Sequence, residues 1–281
     1  MLRKIKEKHE IHFAAFAEEA RDADAMGTAD EYCQHLFTVE PSRIPEKNSA
    51  AYYAKVLGTI FNRYPFTVTS YRSPEMRNLV ARLIAENEYD FLVVDFLTMC
   101  LNISMPLNIP IIHFSHNVEA MIWKRHVKNK HNPLKRAVFA RERTRVERFE
   151  REVINTYSFT IAVSKTDCEY FQRIYGASRV GHIMTGVDTE FYAPQQNAEE
   201  PESIVFLGSM DWMPNIDAVH YFVRSVYPLI KREVHGVKLS VVGRNPGASV
   251  IALADTDPSI TVTGTVPDTR LFTARASVAV V

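Results

Sequence analysis

The sequence predicts an α/β protein with parallel sheets, arranged as two units in tandem. Short apolar runs rich in Val, Ile and Phe alternate with stretches of helical periodicity, the pattern of strands joined by crossover helices. The alternation stops at one polar stretch, Pro194-Gln195-Gln196-Asn197-Ala198-Glu199-Glu200-Pro201, and then starts afresh. A chain of 281 residues is long enough for two ordinary domains, each with its own core.

Taken in order, strands are expected over Ile11–Phe16, Phe91–Asp95, Ile111–Ser115 and Phe159–Val163, then over Ile204–Gly208, Lys238–Val242, Ile260–Thr263 and Val278–Val281. Helices are expected over Glu75–Ala85, Leu134–Asn155, Lys165–Ile174 and Ile216–Arg232. In the last, Ile216, Val219, Phe222, Val226 and Ile230 recur at three- and four-residue steps and form a buried face. The polar stretch divides the chain into domains 1–194 and 202–281. Met1–Lys8 reads as a helix running straight into a strand, whereas a doubly wound domain opens on a strand and a ligand-facing turn. The apolar end, Ala276-Ser277-Val278-Ala279-Val280-Val281, suits a sheet centre covered on both faces. The first domain is therefore expected to lack its first strand and the second to be incomplete, the chain being a fragment.

Lys+Arg and Asp+Glu both number 33, so no net field draws the chain to nucleic acid. No run approaches the roughly 20 apolar residues of a spanning helix. The basic start Met1-Leu2-Arg3-Lys4-Ile5-Lys6 stays charged where a signal peptide turns apolar. Cys33, Cys100 and Cys168 are widely spaced and odd in number, which fits a reduced, cytoplasmic compartment rather than a disulfide framework. Two Asp-x-Asp patterns, Asp22-Ala23-Asp24 and Asp255-Thr256-Asp257, read as solvated loops, so no metal is expected. No G-x-G-x-x-G follows a strand, which speaks against a dinucleotide oxidoreductase.

The second unit offers a ligand loop. An apolar strand runs out into glycine at Gly208, and a long helix begins near Asn215. Glycine lets backbone N–H groups approach a ligand, and a helix N-terminus presents unpaired donors and partial positive charge to a phosphate. The alternative is a plain strand-to-helix loop with Asn215 as N-cap. Arg244 follows the next strand and reaches the same edge, or is a solvated surface arginine. In the first unit, His116 sits just after Ile111–Ser115, and Asp95 ends Phe91–Asp95. Both lie at the carboxyl edge, where α/β sheets bind ligands. His116 is either a ligand contact or a local hydrogen-bonding residue. Asp95 either faces a ligand or caps the following turn.

Four segments, in order, resemble the family-four (group 1) retaining glycosyltransferases. They are His116-Asn117-Val118-Glu119, Ala162-Val163-Ser164-Lys165-Thr166-Asp167, Thr185-Gly186-Val187-Asp188-Thr189-Glu190-Phe191-Tyr192, and Leu207-Gly208-Ser209-Met210-Asp211-Trp212-Met213-Pro214-Asn215. The resemblance runs from about Phe13 to the C-terminus. It implies a GT-B fold, two Rossmann-like domains facing across a cleft. It implies an acceptor side at His116, Asp95 and Asn117, with His116 near the transferred sugar. The donor side would comprise Gly208, Ser209, Asn215, Arg244 and the turn Gly264, Thr265 and Val266, whose backbone holds a nucleobase in relatives. Asp268, after that turn, is expected mainly to cap a helix over Thr269–Ala274. Many relatives place an Arg and a Lys in the first donor loop, and this loop has neither.

The implied activity is metal-independent transfer of a hexose from a nucleotide-sugar to a glycan or lipid-linked acceptor, with retention. The nucleotide-sugar is a substrate, and no cofactor is implied. Donor groups that relatives carry beyond the last strand do not occur in this sequence, so efficient transfer by residues 1–281 alone is not expected. The alternative is a non-catalytic two-domain sugar-binding protein. Between Trp123 and Arg151 stand 11 Lys/Arg against three Glu. That stretch is either a solvated helix or a contact with anionic membrane.

Overall fold

The computed structural model describes residues 2–18, 22–23, 26–41, 49–50, 58, 62–128, 132–193 and 199–280. The chain divides into two units, Met1–Gly186 and Val187–Val281.

In the first unit, a short helix α1 (Leu2–Lys6) precedes β1 (His12–Phe16), which pairs in parallel with β2 (His35–Val39). After α2 (Phe66–Thr69), α3 (Pro74–Glu86) buries Met76, Leu79 and Leu83 against Ala14, Phe16, Phe37 and Val39 of these strands. Ser73 starts α3 by accepting from the Met76 N–H at 3.1 Å, with Pro74 at the first helical position.

The main sheet of this unit is parallel, in the order β3 (Leu92–Asp95), β4 (Ile111–Ser115), β5 (Phe159–Ala162), β6 (Val180–His182). Between β4 and β5 run α4 (Glu119–Lys128) and the long α5 (Pro133–Thr156), and α6 (Lys165–Tyr175) joins β5 to β6. Val146, Phe149 and Val153 of α5 pack on Val94, Leu97 and Ile111. Phe171 and Tyr175 of α6 pack with Ile154, Ala162 and Val180. The Val163-Ser164-Lys165-Thr166-Asp167 turn is a cap, with Ser164 Oγ accepting from the Asp167 N–H at 3.0 Å. Gly176, at φ 70°, closes the helix.

In the second unit, β7 (Glu200–Leu207), β8 (Lys238–Val242), β9 (Ile260–Gly264) and β10 (Ala276–Val280) form a parallel sheet in the order β10-β7-β8-β9. Around it lie α7 (Met213–Tyr221), α8 (Tyr227–Glu233), α9 (Ala248–Thr256) and α10 (Arg270–Arg275). The core gathers Ile204, Phe206, Val219, Phe222, Leu239, Val241 and Val250.

Three expectations need correction. The helix expected over Ile216–Arg232 is interrupted by a π-helical stretch, Phe222–Val226. Pro228 follows in α8, and a proline inside a helix has no N–H to donate and crowds the preceding turn. The apolar strand expected at a sheet centre, β10, has β7 as its one neighbour among the described residues, and Val278 is exposed. The strands β2 and β6 are not legible as apolar runs. His35-Leu36-Phe37-Thr38-Val39 alternates over only five residues, and Val180–His182 has three with a glycine in the middle.

The division after Gly186 lies ahead of the polar linker, whose residues 194–198 are outside the described set. Arg270 explains why residues after Gly186 group with the second unit. Its guanidinium donates to the Phe191 carbonyl at 2.8 Å and stacks 4.0 Å over the Phe191 ring, while Asp268 accepts from its Nη2 at 2.7 Å. The three cysteines are buried and unlinked.

Candidate functional site

The carboxyl edge of the second sheet is built from three glycine turns. Gly208 follows β7, Gly243 follows β8, and Gly264 ends β9. The Gly208 N–H donates to the Val242 carbonyl at 3.0 Å, and the Gly243 N–H to the Gly264 carbonyl at 3.3 Å. A Cβ on Gly243 would lie 1.7 Å from the Gly208 carbonyl oxygen, so only glycine permits this backbone contact. Gly264 has φ 71°, the left-handed region. Thr265 and Val266 continue that turn toward α10, Thr265 exposed and Val266 half-buried.

The first loop is fixed from both sides. Met210 is buried, and its N–H donates to the Arg244 carbonyl at 3.0 Å. Ser209 Oγ donates to Asp211 Oδ1 at 2.7 Å and accepts from Arg244 Nε at 2.8 Å. Arg244 Nε also lies 3.4 Å from Asp211 Oδ2. The hydrogen bonds from Ser209 and Asn245 hold the Asp211 carboxyl below its usual range. The cation absent from the first loop thus arrives from the second, tethered by Ser209 and Asp211.

Asn215 is not the N-cap. Helix α7 starts at Met213 behind Trp212, with Pro214 in its first turn and no side-chain cap. A proline there supplies a preset φ, which moves the helix start upstream of Asn215. The Asn215 Nδ2 instead donates to the Ser209 carbonyl at 3.0 Å and fills the space beside Gly208. Asp268 does bond the start of α10, and it holds a side chain as well. It accepts from the Arg270 N–H at 2.9 Å and grips the Arg270 guanidinium, which holds its carboxyl below the usual range.

At the carboxyl edge of the first unit's main sheet, His116 and Asp95 meet. His116 Nε2 lies 2.7 Å from Asp95 Oδ1. The imidazole stacks on Phe96, with centroids 4.2 Å apart, and meets Phe114 edge-on. With its proton on Nε2 the ring donates to Asp95 and leaves Nδ1 as an acceptor. Asn117 is exposed, and its carbonyl accepts from Ser115 Oγ at 2.9 Å.

Sequence reasoning missed Glu150. Its carboxylate is fully buried and accepts from the Glu119 N–H at 2.7 Å, the Ala120 N–H at 3.2 Å and the Tyr175 hydroxyl at 2.6 Å. It therefore caps the start of α4, the helix that follows His116-Asn117, and ties it to α5 and α6. Burial raises its pKa to about 7, against the lowering effect of these hydrogen bonds. The signal was present: Glu150 stands four residues after Val146 and three before Val153, on the buried stripe. Gly243 was missed as well, although Val-Val-Gly at a strand end repeats the logic of Leu207-Gly208.

Of the Asp-x-Asp patterns, Asp257 is engaged by Lys231 at 2.8 Å and by Ser259, and its carboxyl is lowered to about 2 by the Lys231 hydrogen bond first. Asp22 accepts from the Glu18 N–H, and Asp24 lies outside the described residues. In the basic stretch, Arg143 and Arg151 flank Glu147, and Arg145 lies 3.3 Å from the buried Glu142. Trp123 packs beside Phe139. No helix among the described residues is long and apolar enough to cross a membrane.

The family model Glycosyltransferase Family 4 matches residues 6–191, and Glycosyl transferases group 1 matches residues 201–281. The chain belongs to the family-four, group 1 glycosyltransferases. Its glycine edge and its His116 edge thus sit in the parts matched by the two successive models. No curated protein sequence matches this glycosyltransferase chain. Among solved structures, TarM is similar with a TM-score of 0.53 at 10% identity, over 73% of this chain and 38% of that one. Arabidopsis thaliana UGT89C1 complexed with UDP-L-rhamnose gives 0.52 at 13% identity, over 98% and 67%. LpCGTa in complex with UDP gives 0.51 at 9% identity, over 99% and 70%. The chain therefore spans well under half of TarM and about two-thirds of the other two. At such identities the likeness shows the fold, and that fold is the Rossmann-like, GT-B type.

Proposed function

We propose that the protein transfers a hexose from a nucleotide-sugar donor to a glycan or lipid-linked acceptor, with retention of anomeric configuration. The observation that carries this reading is the glycine-lined edge of the second sheet, where Gly208, Gly243 and Gly264 bring three backbone turns together beside the start of α7. The absence of side chains at these glycines lets an anion approach the backbone closely, and the start of α7 turns the positive end of a helix dipole to the same edge. In this reading the donor's diphosphate lies along Gly208 and Ser209, and the nucleobase along Gly264, Thr265 and Val266. Asn215 sets the loop, and Arg244 supplies the cation. Charge-assisted hydrogen bonds contribute about 1.5–3 kcal/mol each. Removing one that forms at the transition state lowers the rate by roughly tenfold to a hundredfold.

The acceptor side belongs to the first domain, within 1–194, and the donor side to the second, within 202–281. His116 makes a hydrogen bond to a sugar hydroxyl, Asp95 orients the ring, and Asn117 adds a polar contact. No metal takes part in the transfer step, in keeping with Asp257 already being engaged by Lys231 and Ser259. The nucleotide-sugar is a substrate rather than a cofactor, and nucleic acid is not a partner. The UDP-L-rhamnose of the UGT89C1 complex and the UDP of the LpCGTa complex support a nucleotide donor. The basic stretch from Trp123 to Arg151 is the proposed contact with anionic membrane, at its cytoplasmic face.

The test is a thermal-shift and calorimetric screen with UDP, GDP and free sugars. Stabilisation by a nucleoside diphosphate, weakened in Arg244→Ala, is the expected result. Stabilisation by free sugars alone would replace this reading with that of a sugar-binding protein.

A further inference from the structure

The first residues of β1 and β2 bring together a set of metal-ligand atoms on one face of their two-stranded sheet. His12 and His35 are register partners on neighbouring parallel strands. Glu10 precedes His12 by two positions, which in extended chain puts both side chains on the same face. One ligand atom from each of Glu10, His12 and His35 lies within 4.8 Å of the other two. Glu10 Oε1 is 3.4 Å from His12 Nε2 and 3.5 Å from His35 Nε2. A tetrahedral zinc ion with N and O ligands at about 2.0–2.1 Å sets its ligand atoms roughly 3.3–3.4 Å apart. The two Glu10 edges, at 3.4 and 3.5 Å, are within about 0.1 Å of that length.

Supporting contacts fix the first ligand. The Tyr89 hydroxyl lies 2.6 Å from His12 Nδ1, so Nε2 is the nitrogen left for a metal. Metal-binding histidines characteristically engage their second nitrogen in this way, which sets tautomer and ring angle. The His12 ring is also held by Phe37 and by Tyr89 edge-on, and its side chain is only 14% exposed. Gln34 pins the neighbouring backbone by accepting from the Ile11 N–H at 2.7 Å. His35 and Glu10 are exposed, which leaves an entry path from solvent.

We propose that Glu10, His12 and His35 form a site for a divalent transition metal of the zinc class, with two imidazole Nε2 atoms, one carboxylate oxygen and a water completing the tetrahedron. The site lies at the amino ends of β1 and β2, away from the carboxyl edge that carries His116-type ligand residues in α/β sheets. Its role is to brace: the metal joins two strands whose pairing is only five residues long. The proposal is independent of the sugar-transfer reading. Sequence spacing hid it, because the ligands come from separate strands and show no short metal-binding motif.

The experiment titrates the 281-residue chain with Zn2+ in competition with a chromophoric chelator, and with Co2+ followed by visible absorption. The expected result is one tight equivalent, with an intense four-coordinate Co2+ spectrum. His35→Gln and Glu10→Gln each alter exposed side chains, and each should weaken binding at least about tenfold. Tyr89→Phe should weaken it by about tenfold through loss of the His12 hydrogen bond. Far-UV circular dichroism of both exposed-site variants should match the wild type, which separates ligand loss from unfolding. Absence of a stoichiometric Zn2+ equivalent, affinity unchanged in His35→Gln and Glu10→Gln, or equal affinity for Mg2+ would each overturn the proposal, since Mg2+ prefers an all-oxygen octahedron.

Discussion

Replacing Glu150 by Gln should change how stability depends on pH, and the size follows from two buried groups of opposite sign. Glu150 is 0% exposed, and burial moves its pKa from 4.5 to about 7. Its folded pKa is raised, so its contribution is complete below pH 4.5 and is lost as pH rises through 7. At about 1.4 kcal/mol per pH unit, the loss is about 3 kcal/mol. His113 is also buried, and neither ring nitrogen has a hydrogen-bond partner among the described residues. Burial first, and the neighbouring His116 second, lower its pKa from 6.5 to about 4. Its contribution is complete above pH 6.5 and is lost as pH falls through 4, again by about 3 kcal/mol. The two slopes oppose each other between pH 4.5 and 6.5, so these two groups leave the wild-type curve nearly flat there. In Glu150→Gln the amide cannot titrate. Its NH2 also meets the Glu119 N–H, a donor facing a donor, which costs about 1–3 kcal/mol. Urea unfolding at pH 4.5, 5, 6, 7 and 8 measures both effects. The difference between wild type and variant should shrink by about 3 kcal/mol from pH 4.5 to 7. A difference that does not vary with pH would refute the buried-carboxylate argument. The result bears on function because Glu150 holds the helix start that follows His116 and Asn117.

Other outcomes follow from the two edges. A Cβ on Gly208 would meet Asn215 Nδ2 at 2.7 Å, so Gly208→Ala should weaken nucleoside diphosphate binding at least about tenfold by displacing Asn215 or by blocking backbone approach. Calorimetry on Gly208→Ala/Asn215→Ala separates the two, because recovered affinity means that only Asn215 was displaced. Assayed in the full-length enzyme, His116→Ala and Asp95→Asn should each lower kcat about tenfold to a hundredfold with little change in donor affinity, and unchanged turnover would reduce the pair to a structural contact. If the Trp123–Arg151 stretch meets anionic membrane, the chain should sediment with anionic but not neutral vesicles, and less so as salt rises. Arg143, Arg145 and Arg151 already stand beside glutamates, which leaves fewer charges to do so and predicts a shallow salt dependence. No sedimentation at low salt would return the stretch to a solvated helix.

What the sequence determined by itself was local and periodic. Ile111–Ser115 and Lys238–Val242 were read to the residue because three of the five residues in each are large and apolar, as in buried parallel strands, with Pro110 before the first and Gly243 after the second. Helix α5 was legible because its stripe of Val146, Phe149 and Val153 repeats at the helical period. His116, Asp95, Gly208 and Gly264 could be placed at carboxyl edges because a strand end is visible wherever an apolar run stops. Tertiary structure alone decided which distant groups meet. Glu150 looked like one more charge on a polar helix until folding set it under the start of α4, where unsatisfied N–H groups make a buried carboxylate favourable. Gly243 needed the register of β7 and β8, which brings the Gly208 carbonyl onto it. Arg244 needed the same register to reach Ser209 and Asp211. The Glu10–His12–His35 cluster needed the pairing of β1 with β2. Chain periodicity encodes which face of an element is buried, whereas the partner across that face depends on strand order and register, which no single segment contains.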